Sequence, residues 1–194
     1  RKMREMIAEG KLGKIQRVTW VITNWYRSQA YYDNGAWRAT WAGEGGGVLL
    51  NQCPHQLDLW QWICGMPEKI TAVCHEGKWH DIEVDDEASV IVEYPSGATG
   101  SFITSTADFP GTNRLEIVCD KGALICEDNV VTMHKLDTSE SAFTKVNKSP
   151  YNAPGLSTVK VETDNKNEQH PAVLNAFAAS ILRDEPLIAD GREG

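Results

Sequence analysis

The sequence predicts an α+β fold, a large open and mostly antiparallel sheet with helices over one face. Three observations carry that expectation. From about residue 68 to 162 the chain runs through a succession of strand-like segments. Pro95-Ser96-Gly97 and Asp120-Lys121-Gly122 join neighbouring segments through connections short enough for hairpins, so antiparallel pairing is expected. Helical periodicity is confined to stretches near 1–10, 54–64 and 172–183. At 194 residues the chain is read as one domain, 1–194, because this length suits one substantial core and would cramp two.

The elements follow in order. Arg1 to Gly10 is an amphipathic helix with no N-cap residue ahead of it, and Asp190 to Gly194 completes no element, so both ends read as cuts in a longer protein. Gly10-Lys11-Leu12-Gly13 stops the first helix, and Lys14 to Arg27, rich in Val, Ile, Thr and Trp, reads as a long strand. Residues 28–46 form a long polar and aromatic loop, of a length that is usually functional in a compact domain. A turn at 47–53 leads into a helix from Pro54, with proline at the first helical position where its missing N–H costs nothing. That helix is apolar nearly all round up to Cys64, which predicts burial. Strands are expected near 68–78, 84–94, 98–108, 112–120, 123–127, 130–136, 143–147 and 156–162. Alternation in Ala88 to Tyr94 and Ala98 to Ser105 calls for one buried sheet face, the other being polar or meeting a partner. His170-Pro171 introduces a last helix, Ala172 to Arg183, with Val173, Ala176, Phe177 and Ile181 on one face.

A formal charge of -8, with lysines and arginines scattered, excludes nucleic acid and anionic membrane as partners, since either is repelled over most of the surface. No apolar run approaches the ~20 residues that span a bilayer. Cys53, Cys64, Cys74, Cys119 and Cys126 are odd in number, lack a tight repeat and lie mostly in apolar runs, which points to reduced, buried thiols of a cytoplasmic protein.

Chemistry gathers around Gly45 to Trp60. Gly43, Gly45, Gly46 and Gly47 do not make the G-x-G-x-x-G of a dinucleotide site, because position 48 is Val and a loop precedes them. They either form a tight turn or let a ligand approach helix-starting amides closely. His55 is the best acid/base candidate, its ordinary pKa lying near neutrality, and the alternative is a satisfied core histidine. Asp58, three positions on, can orient or charge-stabilise the ring if both share a helix face. Asn51 shares that face only if the helix begins early. A zinc site from Cys53, His55, Cys64, Cys74, His75 and His80 lacks any C-x-x-C or H-x-x-x-H pairing, so no metal is expected. Cys53 as a nucleophile beside His55 fails on spacing. Trp25, Tyr26, Arg27, Tyr31, Tyr32, Trp37, Arg38 and Trp41 offer ring faces and guanidinium forks suited to a sugar, or else pack as ordinary core and loop.

The run from Gly45 to Gly65 resembles the G-G-G-x-L-x-D-x-G-x-H-x-x-D-x-x-x-x-L-x-G signature of the C-terminal domain in the glucose-fructose oxidoreductase / inositol dehydrogenase / MocA family. Ile7 to Ile15 resembles that family's I-x-x-G-x-L-G-x-I helix-to-strand junction. The resemblance implies a sheet domain like those closing dihydrodipicolinate reductase and glyceraldehyde-3-phosphate dehydrogenase. It implies a separate Rossmann domain that binds NAD or NADP and brings a catalytic lysine. It also implies that His55 exchanges the proton of a substrate hydroxyl or carbonyl on a sugar, polyol or related cyclic compound. Trp37, Arg38, Asn51 and His55 are then substrate contacts, Asp58 orients His55, and the sheet face makes a homo-oligomer, a dimer or tetramer. Asn51 stands where the family has aspartate, and an amide positions a hydroxyl without carrying a proton as a carboxylate does. Cys53 replaces the signature glycine. Two other functions are compatible with the resemblance, redox-assisted glycoside hydrolysis and a non-catalytic ligand sensor.

Overall fold

A computed structural model describes residues 1–163 and 169–187 of the chain. They fall into two compact units, one covering Arg1–Glu162 and one beginning at Thr163. The first unit holds α1 (Lys2–Ala8), β1 (Ile15–Ile22), α2 (Gln29–Asp33), α3 (Val48–Asn51), α4 (Pro54–Cys64), β2 (Lys69–Glu76), β3 (Asp85–Glu93), β4 (Thr99–Ser105), β5 (Asn113–Cys119), β6 (Gly122–Glu127), β7 (Val130–Leu136), α5 (Glu140–Val146) and β8 (Leu156–Val161). The second contains α6 (Gln169–Arg183), whose Val173, Phe177 and Ile181 are largely exposed.

One sheet runs in the order β2-β3-β4-β1-β5-β6-β7-β8. Pairing is antiparallel except between β1 and β4, which are parallel. The expected class is therefore observed, and β1 is central. Val18, Trp20 and Ile22 point from β1 to the covered face, where Trp20 lies opposite Phe102 on β4 and Leu115 on β5. Trp60 of α4 stacks on Phe102 with centroids 5.4 Å apart. Gly100 makes this approach possible, since a Cβ there would come within 2.8 Å of the Trp60 ring. The core around them includes Val18, Ile22, Phe102, Ile117 and Leu124, all fully buried.

The opposite face is polar at its centre. Glu116 takes an ion pair from Arg17 and another from Arg114 at 3.0 Å, and Arg114 also reaches Glu127 at 2.7 Å. Burial pushes the Glu116 carboxyl up, and the two arginines outweigh it and hold the group below the usual carboxylate range.

Several boundaries differ from the sequence reading, each for a local reason. The first strand stops at Ile22, not Arg27, because Thr23 N–H bonds the Thr112 carbonyl at 2.7 Å and the chain then crosses to Thr106, whose carbonyl accepts Arg27 N–H at 2.8 Å. Residues 29–33 and 48–51 are short helices inside what reads as loop and turn. The sequence predicts a strand over 143–147, whereas 143–146 belong to α5 and Asn147 is its C-cap. Ser139 caps that helix by accepting Ala142 N–H, and the Asp120 carboxylate accepts Ser141 N–H and Oγ–H at 2.9 Å each. Capping outweighs the strand-like look of Phe143-Thr144-Lys145-Val146. Helix α4 was expected buried on all sides, yet Leu59 and Trp62 are each 40% exposed, because a single helical layer over a sheet covers only the inward side.

The five cysteines are free, and four of them are buried or half-buried while Cys74 on edge strand β2 is exposed. Burial pushes the Cys64 thiol to about 12 and the Cys119 thiol to about 11, which suppresses the reactive thiolate. In the native protein at neutral pH, an alkylating reagent is expected to modify Cys74 first and the remaining four only on unfolding, as read by mass spectrometry. Equal labelling of all five would contradict this burial pattern.

Candidate active site

The glycine-rich segment is built around a carboxylate. Asp85, at the start of β3, accepts Gly47 N–H on Oδ1 and Leu49 N–H on Oδ2, both at 2.9 Å, and so satisfies the first amides of α3. Those two amides therefore do not face a ligand, because the protein supplies their anion itself. Gly47 is required for contact, since a Cβ there would sit 1.9 Å from the Asp85 carbonyl oxygen. Gly47→Ala is expected to cost about 1–3 kcal/mol or more, as overpacking against backbone does, seen as a lower urea midpoint. An unchanged midpoint would refute this packing.

Just before the glycine turn, Glu44, which the sequence reading did not single out, organises its neighbours. Glu44 Oε1 accepts Asn51 Nδ2–H, and Glu44 Oε2 accepts Ala39 N–H at 2.7 Å. Gln52 Nε2–H donates to Asn51 Oδ1 at 2.7 Å. A carboxylate accepts only, so the Asn51 amide is fixed with its NH2 toward Glu44. A negative charge therefore stands beside position 51, where the residue itself is neutral. Glu44→Gln is expected to release this orientation, since one end of the new amide must face a donor. Broadened or shifted Asn51 side-chain NH2 resonances in an NMR spectrum would register it, and unchanged resonances would count against the clamp.

His55 occupies the first turn of α4 after Pro54 and is exposed. Its ring makes no hydrogen bond among the described residues. The sequence predicts a buried helix in which Asp58 can orient the ring; the structure leaves His55 exposed, and Asp58 accepts instead from Gln61 Nε2 at 3.3 Å. Cys53 is fully buried with Sγ 3.0 Å from Thr104 Oγ1, and burial pushes its thiol up, in keeping with packing and not with attack on a substrate. Among the described residues no group of three or more His, Cys, Asp or Glu side chains is arranged to hold a metal ion.

Trp37 and Arg38 lie in the aromatic segment that follows α2. Trp37 is half exposed, and the Arg38 guanidinium lies 4.6 Å from its ring and 4.7 Å from that of Tyr31, with Nη1–H donating to Tyr31 OH at 2.9 Å. Ala39, the next residue, is the one Glu44 ties to Asn51. Glu44 thus ties Asn51 to the backbone next to Arg38, and Asp58 lies outside that network.

The segment is anchored by Asp86, which the sequence reading left aside, and by His80, which it weighed only as a metal ligand. Asp86 is fully buried and accepts Lys78 N–H at 3.1 Å on Oδ1, and Trp79 N–H at 2.8 Å and His80 N–H at 3.1 Å on Oδ2. The His80 ring lies between Asp86 Oδ2 at 3.1 Å and the Arg27 carbonyl at 2.9 Å. Tyr32 packs on His80 with centroids 4.9 Å apart and donates to Thr106 Oγ1 at 3.0 Å, and burial pushes its hydroxyl up. The available signal was Asp85-Asp86, two carboxylates at the head of an apolar strand, where burial demands partners.

Known proteins share this arrangement of sequence and fold. Residues 1–125 match the family described as GFO/IDH/MocA C-terminal domain. The chain belongs to that family. Trans-1,2-dihydrobenzene-1,2-diol dehydrogenase from Mus musculus is 34% identical over 114 residues, 57% of this chain and 31% of the mouse protein. The Bos taurus enzyme of the same name is 36% identical over 61% of this chain and 35% of its own length. The matched region is therefore about a third of these curated relatives. The WlbA dehydrogenase from Bordetella pertussis, solved with NADH and UDP-GlcNAcA, has a TM-score of 0.72 at 25% identity, covering 99% of this chain and 51% of that one. A levoglucosan dehydrogenase with NADH and levoglucosan shares the fold at a TM-score of 0.62 and 19% identity, over 82% of this chain and 43% of its own.

Proposed function

We propose that this chain is the substrate-binding and proton-transferring domain of a nicotinamide-dependent oxidoreductase acting on a sugar, polyol or related cyclic hydroxyl compound. The carrying observation is the joint placement of an exposed imidazole at the start of α4 and a fixed amide four residues earlier, tied through Glu44 to an aromatic and basic segment. Membership of the family supports the reading.

In this reading His55 holds or releases the proton of the reacting hydroxyl, the exposure of its ring giving substrate direct access. Asn51 orients that hydroxyl through its amide, while Trp37 offers a face to the sugar ring and Arg38 a fixed donor. The bound nucleotide supplies hydride exchange. The Gly47 and Leu49 amides are engaged by Asp85 and so are not free for its phosphates, and in this reading NAD or NADP is held mainly by another part of the protein. The open sheet face is the proposed surface for a homo-oligomer. None of the described helices is long and apolar enough to cross a membrane, and the proposed setting is the cytoplasm.

The test is spectrophotometric: the protein is mixed with NAD or NADP and a panel of sugars, inositols and trans-1,2-dihydrobenzene-1,2-diol. Growth of reduced-nicotinamide absorbance with at least one compound is expected. Sugar binding without any turnover across the panel would replace this reading with that of a ligand sensor.

A further inference from the structure

Arg27 and Arg38 both lie against the ring of Tyr31. We propose that they form an anion subsite around Tyr31, which selects substrates bearing a carboxylate or phosphate, such as a sugar acid or a sugar phosphate. The proposal rests on reading this chain as a substrate-binding domain.

Both guanidinium groups gather on one ring, Arg27 at 5.0 Å and Arg38 at 4.7 Å from the Tyr31 centroid. Arg38 is held further by the Trp37 ring and by its bond to Tyr31 OH. Arg27 Nη1 donates to the Trp25 carbonyl at 3.2 Å and the Tyr26 carbonyl at 2.9 Å, and its Nε is buried with no partner. Neither arginine has an acid within ion-pair distance among the described residues. Arg17, Arg114 and Arg183 all pair with glutamates; Arg4 also lacks an acid, but lies alone over Trp62.

Nearby acids are engaged elsewhere. Glu44 accepts Ala39 N–H at 2.7 Å, Glu83 accepts Trp41 N–H at 3.1 Å, and Asp33 accepts Gln29 Nε2–H at 3.0 Å. Two like charges held on one ring repel each other. An anion bound at this ring relieves that repulsion. Because stacking and the tyrosine bond already fix Arg38, little further ordering is needed for its free edge to take a planar carboxylate or a phosphate. The exposed indoles of Trp37 and Trp41 lie in the same segment and suit the ring of a sugar carrying that anion.

Calorimetric titration at low salt, where surface charge is least screened, compares D-glucuronate, D-glucose 6-phosphate and D-glucose. At least one charged sugar is expected to bind about tenfold or more tighter than glucose, and which one does so identifies the anion. Arg38→Gln and Arg27→Gln should each abolish most of that preference, Arg38→Lys should restore only part of it, and Arg17→Gln on the sheet should leave it intact. Melting curves check folding, and Arg38→Gln provides an arm free of the backbone contacts that Arg27 makes. Equal binding of charged and neutral sugars, no binding of either charged sugar, or a preference that survives both glutamine variants overturns the subsite. Turnover of neutral sugars with no anion preference would sink the subsite and leave the oxidoreductase reading standing. Arginine-dependent anion binding without turnover of any sugar would do the reverse.

Discussion

Asp86→Ala is expected to destabilise the protein by about 3–5 kcal/mol, the loss associated with breaking a buried, fully hydrogen-bonded charge network. On a chain of this size that lowers the melting midpoint by about 10 °C. The reason lies in how many groups depend on one carboxylate: three consecutive backbone N–H groups and the His80 ring. Asp86→Asn should rescue little, because both carboxylate oxygens accept and an amide turns its NH2 toward a donor in either orientation. Loss should also reach the aromatic segment, since the His80 ring holds the Arg27 carbonyl. Thermal and urea melts decide the matter. A loss below about 1 kcal/mol, no more than a single ordinary hydrogen bond, would show that the network does not support the loop as described.

His55→Ala should have the opposite signature. If His55 moves the substrate proton, turnover falls by about 10²–10⁴, the usual contribution of a positioned acid or base. Stability should stay within about 0.5 kcal/mol of the parent, as for a surface substitution, because the side chain is exposed and makes no hydrogen bond among the described residues. Nucleotide affinity should persist. Steady-state kinetics with a substrate found in the panel, alongside a melting curve, separates the two effects, and unchanged turnover would remove His55 from the chemistry.

Periodicity made most of the sheet legible, since alternation in β3 and β4 and the turns at 95–97 and 120–122 are local properties of the chain. The strands were placed to within a few residues, the segment now in α5 excepted. What failed was decided by capping and layering. Ser139 and Asp120 turn residues 140–146 into a helix from positions outside the window that looked like a strand. The exposure of Leu59 and Trp62 follows from which side of α4 meets the sheet, which no periodicity reveals in a helix apolar all round.

The candidate site divides in the same way. By itself the sequence determined the fold class and, through the Gly45 to Gly65 resemblance, the family, and it put forward His55, Asn51, Trp37 and Arg38 as candidates, because residue type and spacing along one chain are enough for that. Tertiary structure decided which of them belong together. Asp85 and the Gly47 amide are 38 positions apart, and His80 and Arg27 are 53 apart, so their contacts exist only once β3 and the 77–84 loop are folded against the earlier segment. Glu44 lies only seven positions from Asn51, yet its role depends on a turn that bends Ala39 and α3 onto one carboxylate. Hydrogen bonds and charges act through space, over a few ångströms, and the sequence specifies those distances only through the complete fold.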